Sequence, residues 1–263
     1  GGVCLDAPNY CRPSDYTPRS RYPVYESAPT WTETHNPATA SGSFNCSNWG
    51  NNGWCRAGAS LQVNGNEPVA GYAILRMEGN YNGSDNAAVS CNGASCSFTP
   101  PQGQGMFWYW AVSNYGDTSN KQSMTYKYDS GAPTVSLSPS GTLGGGGWYR
   151  SNVSVNGSGT DAVSGLAGVS LSSPCSNNPC TITADGIHNI TATATDNAGN
   201  TTSTSITIRK DTTPPSITFN PSGTAAWYRS TVTLSASASD ALSGVAGSVS
   251  LSCGSNPCTL SAQ

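Results

Sequence analysis

The chain has 263 residues, of which only 10% are charged, and its formal net charge at pH 7 is -3. The 11 Lys and Arg residues form no basic stripe, which argues against a nucleic-acid partner. No apolar run approaches the ~18 residues of a membrane span, and the first residues have no signal-peptide pattern. We therefore expect no membrane span, and a chain that is mature, processed or a fragment.

The cysteines indicate the compartment. Ten cysteines occur as five close pairs, a pattern that favours local disulfides. A metal site would need several thiolates or imidazoles that converge on one ion, and neither of the 2 histidines lies near a second cysteine pair. An oxidising location, extracellular or on the cell surface, is predicted. The predicted disulfides are Cys4–Cys11, Cys46–Cys55, Cys91–Cys96, Cys175–Cys180 and Cys253–Cys258.

Residues 1–27 are rich in Pro, Tyr and Arg and show little periodicity, so we predict an N-terminal arm with a disulfide loop. The end of the arm is similar to two later stretches, 126–133 and 208–215, which also lead into proline. Proline fixes φ and donates no ladder hydrogen bond, which suits a strand that enters a sheet after a short linker. These junctions divide the rest of the chain into repeats at 28–131, 132–212 and 213–263.

The first repeat, 28–131, departs from its neighbours in two places. An insertion at 43–53 carries Cys46, and a disulfide to Cys55 would pin it to the adjacent strand. The strand at 107–112 is unusually aromatic. Alignment with the second repeat predicts that Trp108, Trp110 and Val112 face inward and that Phe107 and Tyr109 face outward.

The second repeat, 132–212, shows the clearest strand pattern. Apolar residues alternate with Ser or Thr at 135–137, 153–155 and 190–194. Period-two alternation with one apolar face indicates antiparallel sheets, and two such sheets packed face to face form a sandwich. Asp185-Gly186 and the stretch 196–200 supply turns between the predicted strands.

The third repeat, 213–263, matches the start of the second and has no counterpart of 190–208. We therefore predict an all-β protein with three tandem immunoglobulin-like antiparallel β-sandwiches, the last one incomplete and lacking its last strands. Two explanations are open. The sequence is a fragment of a longer array, or the N-terminal arm of one copy completes the last repeat of another by strand addition, which would build a filament.

Several motifs point to a family. The segment that starts Trp148-Tyr-Arg-Ser and runs to Asp161-Ala-Val-Ser-Gly165 recurs from Trp227 to Gly244. Together with 194–200 and 211–215, these motifs resemble tandem bacterial immunoglobulin-like repeats of secreted and cell-surface proteins. The resemblance covers 132–263 strongly and 28–131 weakly. It implies extracellular stalks, adhesins, filaments or spacer modules attached to secreted enzymes, and it specifies no ligand.

Acidic residues at the predicted turns and junctions are candidate calcium ligands, because Ca²⁺ takes about six to eight oxygen ligands. Calcium is the single cofactor that the sequence suggests, and the favoured alternative is that each carboxylate satisfies its own turn, since no stretch has the dense acid spacing of a calcium loop. The candidates are Asp129, Asp161, Asp196, Asp211 and Asp240.

Outward aromatic residues that a sister repeat lacks are candidates for contact with a partner, either other copies of the chain or surface glycans or proteins. The alternative is that the arm covers them within the same chain. The interaction candidates are Phe107, Tyr109, Tyr22, Val24 and Tyr25. The repeated Trp-Tyr-Arg segments are interpreted as packing rather than as sugar sites.

No catalytic motif is recognisable, so no enzymatic activity is expected. The glycosylation candidates are the sequons at Asn45, Asn82, Asn152, Asn156, Asn189 and Asn200, in a number that the composition would give by chance. The predicted function is structural or adhesive, as a rod or filament of immunoglobulin-like domains in the extracellular space. The alternative is a carbohydrate- or protein-binding module of a secreted enzyme or surface receptor.

Overall fold

The computed structural model describes residues 37–81, 83–84, 86–220 and 230–260. The chain divides into two compact units, 1–36 and 37–263, and the described residues belong to the second unit. The predicted arm at 1–27, its Cys4–Cys11 disulfide and the interaction candidates Tyr22, Val24 and Tyr25 therefore lie outside the described residues.

Residues 39–128 form two facing sheets. The first contains β1 (Thr39–Asn45), β4 (Ser60–Asn66) and β7 (Ser95–Phe98), with β4 in the centre. The second is antiparallel except where β3 lies beside β9. Its order is β2 (Asn48–Trp49), β3 (Cys55–Ala57), β9 (Gln122–Tyr128), β8 (Gly103–Ser113), β5 (Ile74–Asn80) and β6 (Val89–Asn92).

Residues 134–210 form a second pair of antiparallel sheets. One contains β10 (Thr134–Ser140), β11 (Val153–Thr160) and β13 (Cys180–Ile182), in that order. The other contains β12 (Leu166–Leu171), β14 (Gly186–Asp196) and β15 (Thr201–Lys210). Alternating apolar residues on these strands meet in the middle, where Val153, Val155 and Ile190 are fully buried.

Both pairs of sheets have the same topology. The chain places its first two main strands in one sheet, crosses to the other, returns for one short strand, and then ends with a long hairpin in the second sheet. This Greek-key order is that of an immunoglobulin-like sandwich. The predicted fold class, an all-β protein of immunoglobulin-like antiparallel sandwiches, is confirmed.

A third sheet contains β16 (Ser216–Asn220), β17 (Val232–Ser239) and β18 (Cys258–Leu260), with β17 in the centre. It corresponds to the sheet of β10, β11 and β13. Among the residues that the structure describes, no second sheet faces it, and the side chains of Ile217 and Phe219 are 57% and 49% exposed. The predicted boundaries at 28–131, 132–212 and 213–263 contain these strands and stay a prediction.

Short disulfides link neighbouring strands and loops. The structure forms Cys46–Cys55, Cys91–Cys96, Cys175–Cys180 and Cys253–Cys258. Cys96 and Cys175 belong to the two buried cores. Each bridge closes a small loop, which contributes about 2 kcal/mol in the chain-entropy description.

The prediction that Phe107 and Tyr109 face outward is wrong. Phe107 is completely buried, Tyr109 is 5% exposed, and both belong to the first core. The two equivalent strands, β8 and β14, begin at Gly103 and Gly186, which both have positive φ. When the two sandwiches are aligned on these glycines, Phe107 corresponds to Ile190 and not to Asn189. Because side chains alternate along a strand, the one-residue error exchanged the two faces.

Trp110 and Val112 are buried as well, but on the opposite face of β8. The Trp110 indole N–H donates to Glu78 Oε2 over 2.7 Å, and the Lys121 ammonium lies 4.8 Å from the centre of its ring. The aromatic strand is therefore covered on both faces, which explains why it contains aromatic residues at consecutive positions.

Phe107→Ala is expected to lower the free energy of unfolding by about 3–5 kcal/mol, because it removes a fully buried ring and leaves a cavity. Met106→Ala, one residue away with 41% of the side chain exposed, is the matched control and should change stability by less than about 1 kcal/mol. Denaturant unfolding measures both. Equal losses would contradict the register of β8.

Candidate functional site: the junctions between sandwiches

Asp129 connects the first sandwich to the second. It follows β9 and is completely buried. Its Oδ1 accepts a hydrogen bond from the N–H of Gly131 in the linker over 2.9 Å. Its Oδ2 accepts one from the N–H of Ser164, between β11 and β12 of the next sandwich, over 3.0 Å. Hydrogen bonds from backbone N–H groups to a carboxylate are stronger than neutral ones, so one side chain joins both sandwiches.

The loop that meets Asp129 is shaped by Asp161. Oδ1 of Asp161 accepts hydrogen bonds from the N–H groups of Val163, Ser164 and Gly165 over 2.9–3.0 Å. This arrangement is an Asx-type turn, in which an Asp side chain replaces part of the backbone hydrogen bonding. The turn directs the Ser164 N–H toward the first sandwich.

Asn200 supplies the return contact. Its side-chain nitrogen donates to the backbone oxygen of Asp129 over 3.1 Å and to Asp196 Oδ2 over 2.9 Å. Asp196 Oδ1 in turn accepts from the Asn200 N–H over 2.8 Å. Both hydrogens of this amide are therefore committed to the junction.

A loop of the first sandwich docks against the turn between β14 and β15, to which Asn200 belongs. The N–H of Asn51 donates to the oxygen of Ala198 over 2.9 Å, and Arg56 Nη1 donates to the oxygen of Gly199 over 2.9 Å. A Cβ at Gly50 would lie 1.9 Å from the Ala198 oxygen, so this close approach requires glycine. Sequence reasoning missed this contact, because the two segments are far apart in the chain.

The next junction repeats the first one. Asp211 follows β15 and is 6% exposed. Its Oδ1 accepts from the Thr213 N–H over 2.9 Å, and its Oδ2 accepts from the Ser243 N–H over 3.0 Å. Asp240 Oδ1 accepts from the N–H groups of Leu242 and Gly244, as Asp161 does for its own loop.

The segments Trp54-Cys55-Arg56 and Trp148-Tyr149-Arg150, called the Trp-x-Arg segments, support these junctions from within the preceding sandwich. The N–H of Asp129 donates to the oxygen of Cys55, and the N–H of Asp211 donates to the oxygen of Tyr149, both over 2.9 Å. Tyr149 also packs against the second core. This placement agrees with the packing interpretation for 148–150, whereas 227–229 lie outside the described residues.

An ion pair between a buried lysine and a partly exposed aspartate lies beside the second junction. Lys210 is 1% exposed, and its ammonium donates to Asp185 Oδ1. Asp185 Oδ2 also accepts from the N–H of Thr212 over 3.1 Å and from the hydroxyl of Thr213 over 3.1 Å. The sequence held a signal for this pair, because Lys210 continues the inward alternation of Ile206 and Ile208 on β15.

Two acidic groups at this junction, Asp185 and Asp211, have a pKa below the ordinary value of an aspartate. The pKa of Asp185 is lowered mainly by the hydrogen bond from Lys210, and further by the N–H of Thr212. The pKa of Asp211 is lowered mainly by the side chain of Ser243, and further by the N–H of Thr213. The folded protein therefore favours the ionised form of both carboxyls.

Three of the five calcium candidates come together. One carboxylate oxygen from each of Asp129, Asp161 and Asp196 lies within 4.8 Å of the others. The hydrogen bonds described above already occupy both oxygens of Asp129 and of Asp196, although Asp129 Oδ2 bonds the next sandwich rather than its own turn. Asp211 and Asp240 lie at the next junction. A calcium ion at these residues stays a prediction.

The sequons differ in their surroundings. Asn200 lies within the first junction, where its amide is engaged, and Asn82 lies outside the described residues. The remaining four, Asn45, Asn152, Asn156 and Asn189, are exposed. Glycosylation at any of them stays a prediction.

No protein-family model and no curated protein matches the chain. Among solved structures, it is similar to the fibronectin(III)-like modules of CbhA from Clostridium thermocellum. The sequence identity is 13% and the TM-score is 0.29, over 65% of this chain and 95% of that chain. A TM-score this low supports no conclusion about the chain. The immunoglobulin-like fold is inferred from the strand order.

Two further observations bear on location. In the part of the chain that the structure describes, no helix has the length and apolar character needed to cross a membrane. The disulfides fit an extracellular or secreted protein, since such bonds persist in oxidising compartments.

Stability is expected to fall in acid. Because the folded-state pKa of Asp185 and of Asp211 is depressed, the stabilisation is fully present above the unfolded value of about 3.9 and is lost as the pH falls below it. Asp185→Asn should lower stability at neutral pH, and the difference from the wild type should narrow as the pH is lowered toward about 2. Urea unfolding across this range measures the effect. Parallel curves for the two proteins would contradict the assignment.

Proposed function

We propose that the chain is a non-catalytic structural protein of the extracellular space, whose junctions hold successive sandwiches in a fixed relative orientation. The observation that supports this proposal is the repeated carboxylate at the junctions. Asp129 and Asp211 each accept one N–H from their own linker and one from the following loop.

Burial gives these contacts their mechanical effect. Bending at the first junction would separate the buried Asp129 carboxylate from the Ser164 N–H. A buried charged acceptor that loses its donor carries its full desolvation cost, so the hydrogen bond resists opening. The contact from Asn200 and the docked loop at 50–56 join the first sandwich to a second loop of the next one, the turn between β14 and β15.

This arrangement differs from a flexible tether. Linkers rich in Gly and Ser behave as random coils and let their domains reorient. Here the linker residues Asp129 and Gly131 are held by hydrogen bonds, and Pro133 leads directly into β10. Stalks and spacer modules need such restricted junctions, because they must keep a distance between what they connect.

The finer alternatives from the sequence remain proposals. Head-to-tail polymerisation depends on the arm at 1–27, which lies outside the described residues. A binding module that uses Phe107 and Tyr109 is not supported, since both side chains are buried.

The orientation of the two sandwiches is expected to depend on Asn200. Residual dipolar couplings should fit one alignment tensor for residues 39–128 and 134–210 in the wild type. Asn200→Ala removes both side-chain hydrogen bonds at the junction, so the two sandwiches should then require separate tensors. Asn189→Ala, another sequon asparagine on an exposed strand position, is the matched control and should leave the single tensor unchanged.

Two results would overturn the proposal. One is independent alignment of the two sandwiches in the wild type. The other is a single tensor that survives in Asn200→Ala and also in Asp129→Ala, which removes the carboxylate itself.

A further inference from the structure

We propose that a cleft on the first sandwich, beside Trp49, binds a pyranose ring of a glycan. The Trp49 cleft lies where the insertion at 43–53 meets strands β8 and β9, and its volume is about 730 Å³. This size falls in the range of small-molecule sites, which combine aromatic walls with a few convergent polar groups.

Trp49 is the first argument for a ligand. Its side chain is 53% exposed, although a tryptophan in a sandwich normally contributes to the core. The ring stands nearly perpendicular to that of Phe44, with 5.7 Å between the ring centres and an angle of 86°. At the matching position of the second sandwich, Leu143 bridges Tyr149 as Trp49 pairs with Cys55, and this exposed residue is a leucine. The fold therefore does not require an indole here.

The insertion holds Trp49 in place. The Cys46–Cys55 disulfide closes its base, and the Ser47 hydroxyl donates to the oxygen of Ala57 over 2.9 Å. Trp49 itself pairs with Cys55 in the sheet. An aromatic side chain on an ordered backbone loses little conformational entropy when it binds a ligand, which favours recognition by stacking.

The rest of the cleft supplies both kinds of contact that a sugar makes. Phe44 and Tyr126 form an apolar wall, with 6.4 Å between their ring centres. The polar residues Gln104, Thr125 and Lys127 also line the cleft, and the Lys127 ammonium donates to the oxygen of Asn52 over 3.2 Å. A pyranose has an apolar C–H face for the indole and a rim of hydroxyl groups for these donors and acceptors.

Gly105 gives the cleft part of its shape. A Cβ at this position would lie 2.9 Å from the Tyr126 hydroxyl oxygen and 3.0 Å from the adjoining ring carbon, so a side chain would displace the Tyr126 ring. The corresponding position in the second sandwich, counted from Gly186, is His188. The first sandwich thus has both an exposed indole and an open floor, and the second has neither.

A glycan fits better than a protein surface. None of the other large apolar side chains that are exposed in the described part of the chain lines the cleft. Protein interfaces place aromatic anchors within a wider apolar core, whereas this exposed indole has Phe44 and Tyr126 as its only other apolar neighbours among the described residues that line the cleft. None of the lining residues is acidic, and Lys127 is able to accept a uronic acid as well as a neutral sugar.

The test uses the full chain on a glycan array with neutral, N-acetylated and uronic pyranosides, followed by calorimetry with the best soluble oligosaccharide. We expect binding of at least one class, with an affinity that falls tenfold or more in Trp49→Ala. Tyr72→Ala, at an aromatic residue that is 38% exposed outside the cleft, is the matched control and should bind as the wild type does. Lys127→Gln should weaken uronic ligands more than neutral ones.

Three outcomes would overturn the proposal. They are an array without any bound glycan, equal affinity in Trp49→Ala and the wild type, and capture of protein partners alone through Trp49. Circular dichroism of each variant checks that the fold is retained.

Discussion

A buried carboxylate at the end of each sandwich is the interaction on which the rest of the structure depends. Asp129 and Asp211 lie at the point where the last strand becomes the linker, and each faces an N–H of the following loop. A charge in such a position is stable only when donors surround it. The backbone of the linker and the Asx turn of the next sandwich supply these donors, and the oxygen of Cys55 or Tyr149 accepts the backbone N–H of the aspartate itself, so these elements are fixed together.

The first sandwich differs from the second mainly in the insertion at 43–53, at the edge of its second sheet. Its strands β2 and β3 continue the second sheet beyond β9, where the second sandwich has isolated bridges from Tyr149 to Leu143 and Lys210, and they leave the main Greek-key order intact. The added loop has two contacts of different kinds, since Arg56 reaches Gly199 of the next sandwich while Trp49 faces outward. One insertion thus serves the junction and also forms the proposed glycan site.

Much of the fold could be predicted from the sequence because the determining signals are local. Alternation of Val, Ile and Thr marks strands, close cysteine pairs mark short bridges, and Asp or Asn beside Gly marks turns. The register of the aromatic strand failed for the same reason. A motif alignment that slips by one residue keeps every local signal and still reverses the two faces, and the buried Phe107 shows the reversal.

The sequence by itself determined the strand pattern, the four disulfide pairs between Cys46 and Cys258, and the location of the acidic turns. The tertiary structure alone decided what those turns contact. Asn200 contacts Asp129, and Asn51 contacts Ala198, and each of these contacts joins one sandwich to the next. The exposure of Trp49 was likewise decided by folding. Contacts between segments that are far apart depend on how the sheets pack, and no periodicity in the chain records that packing.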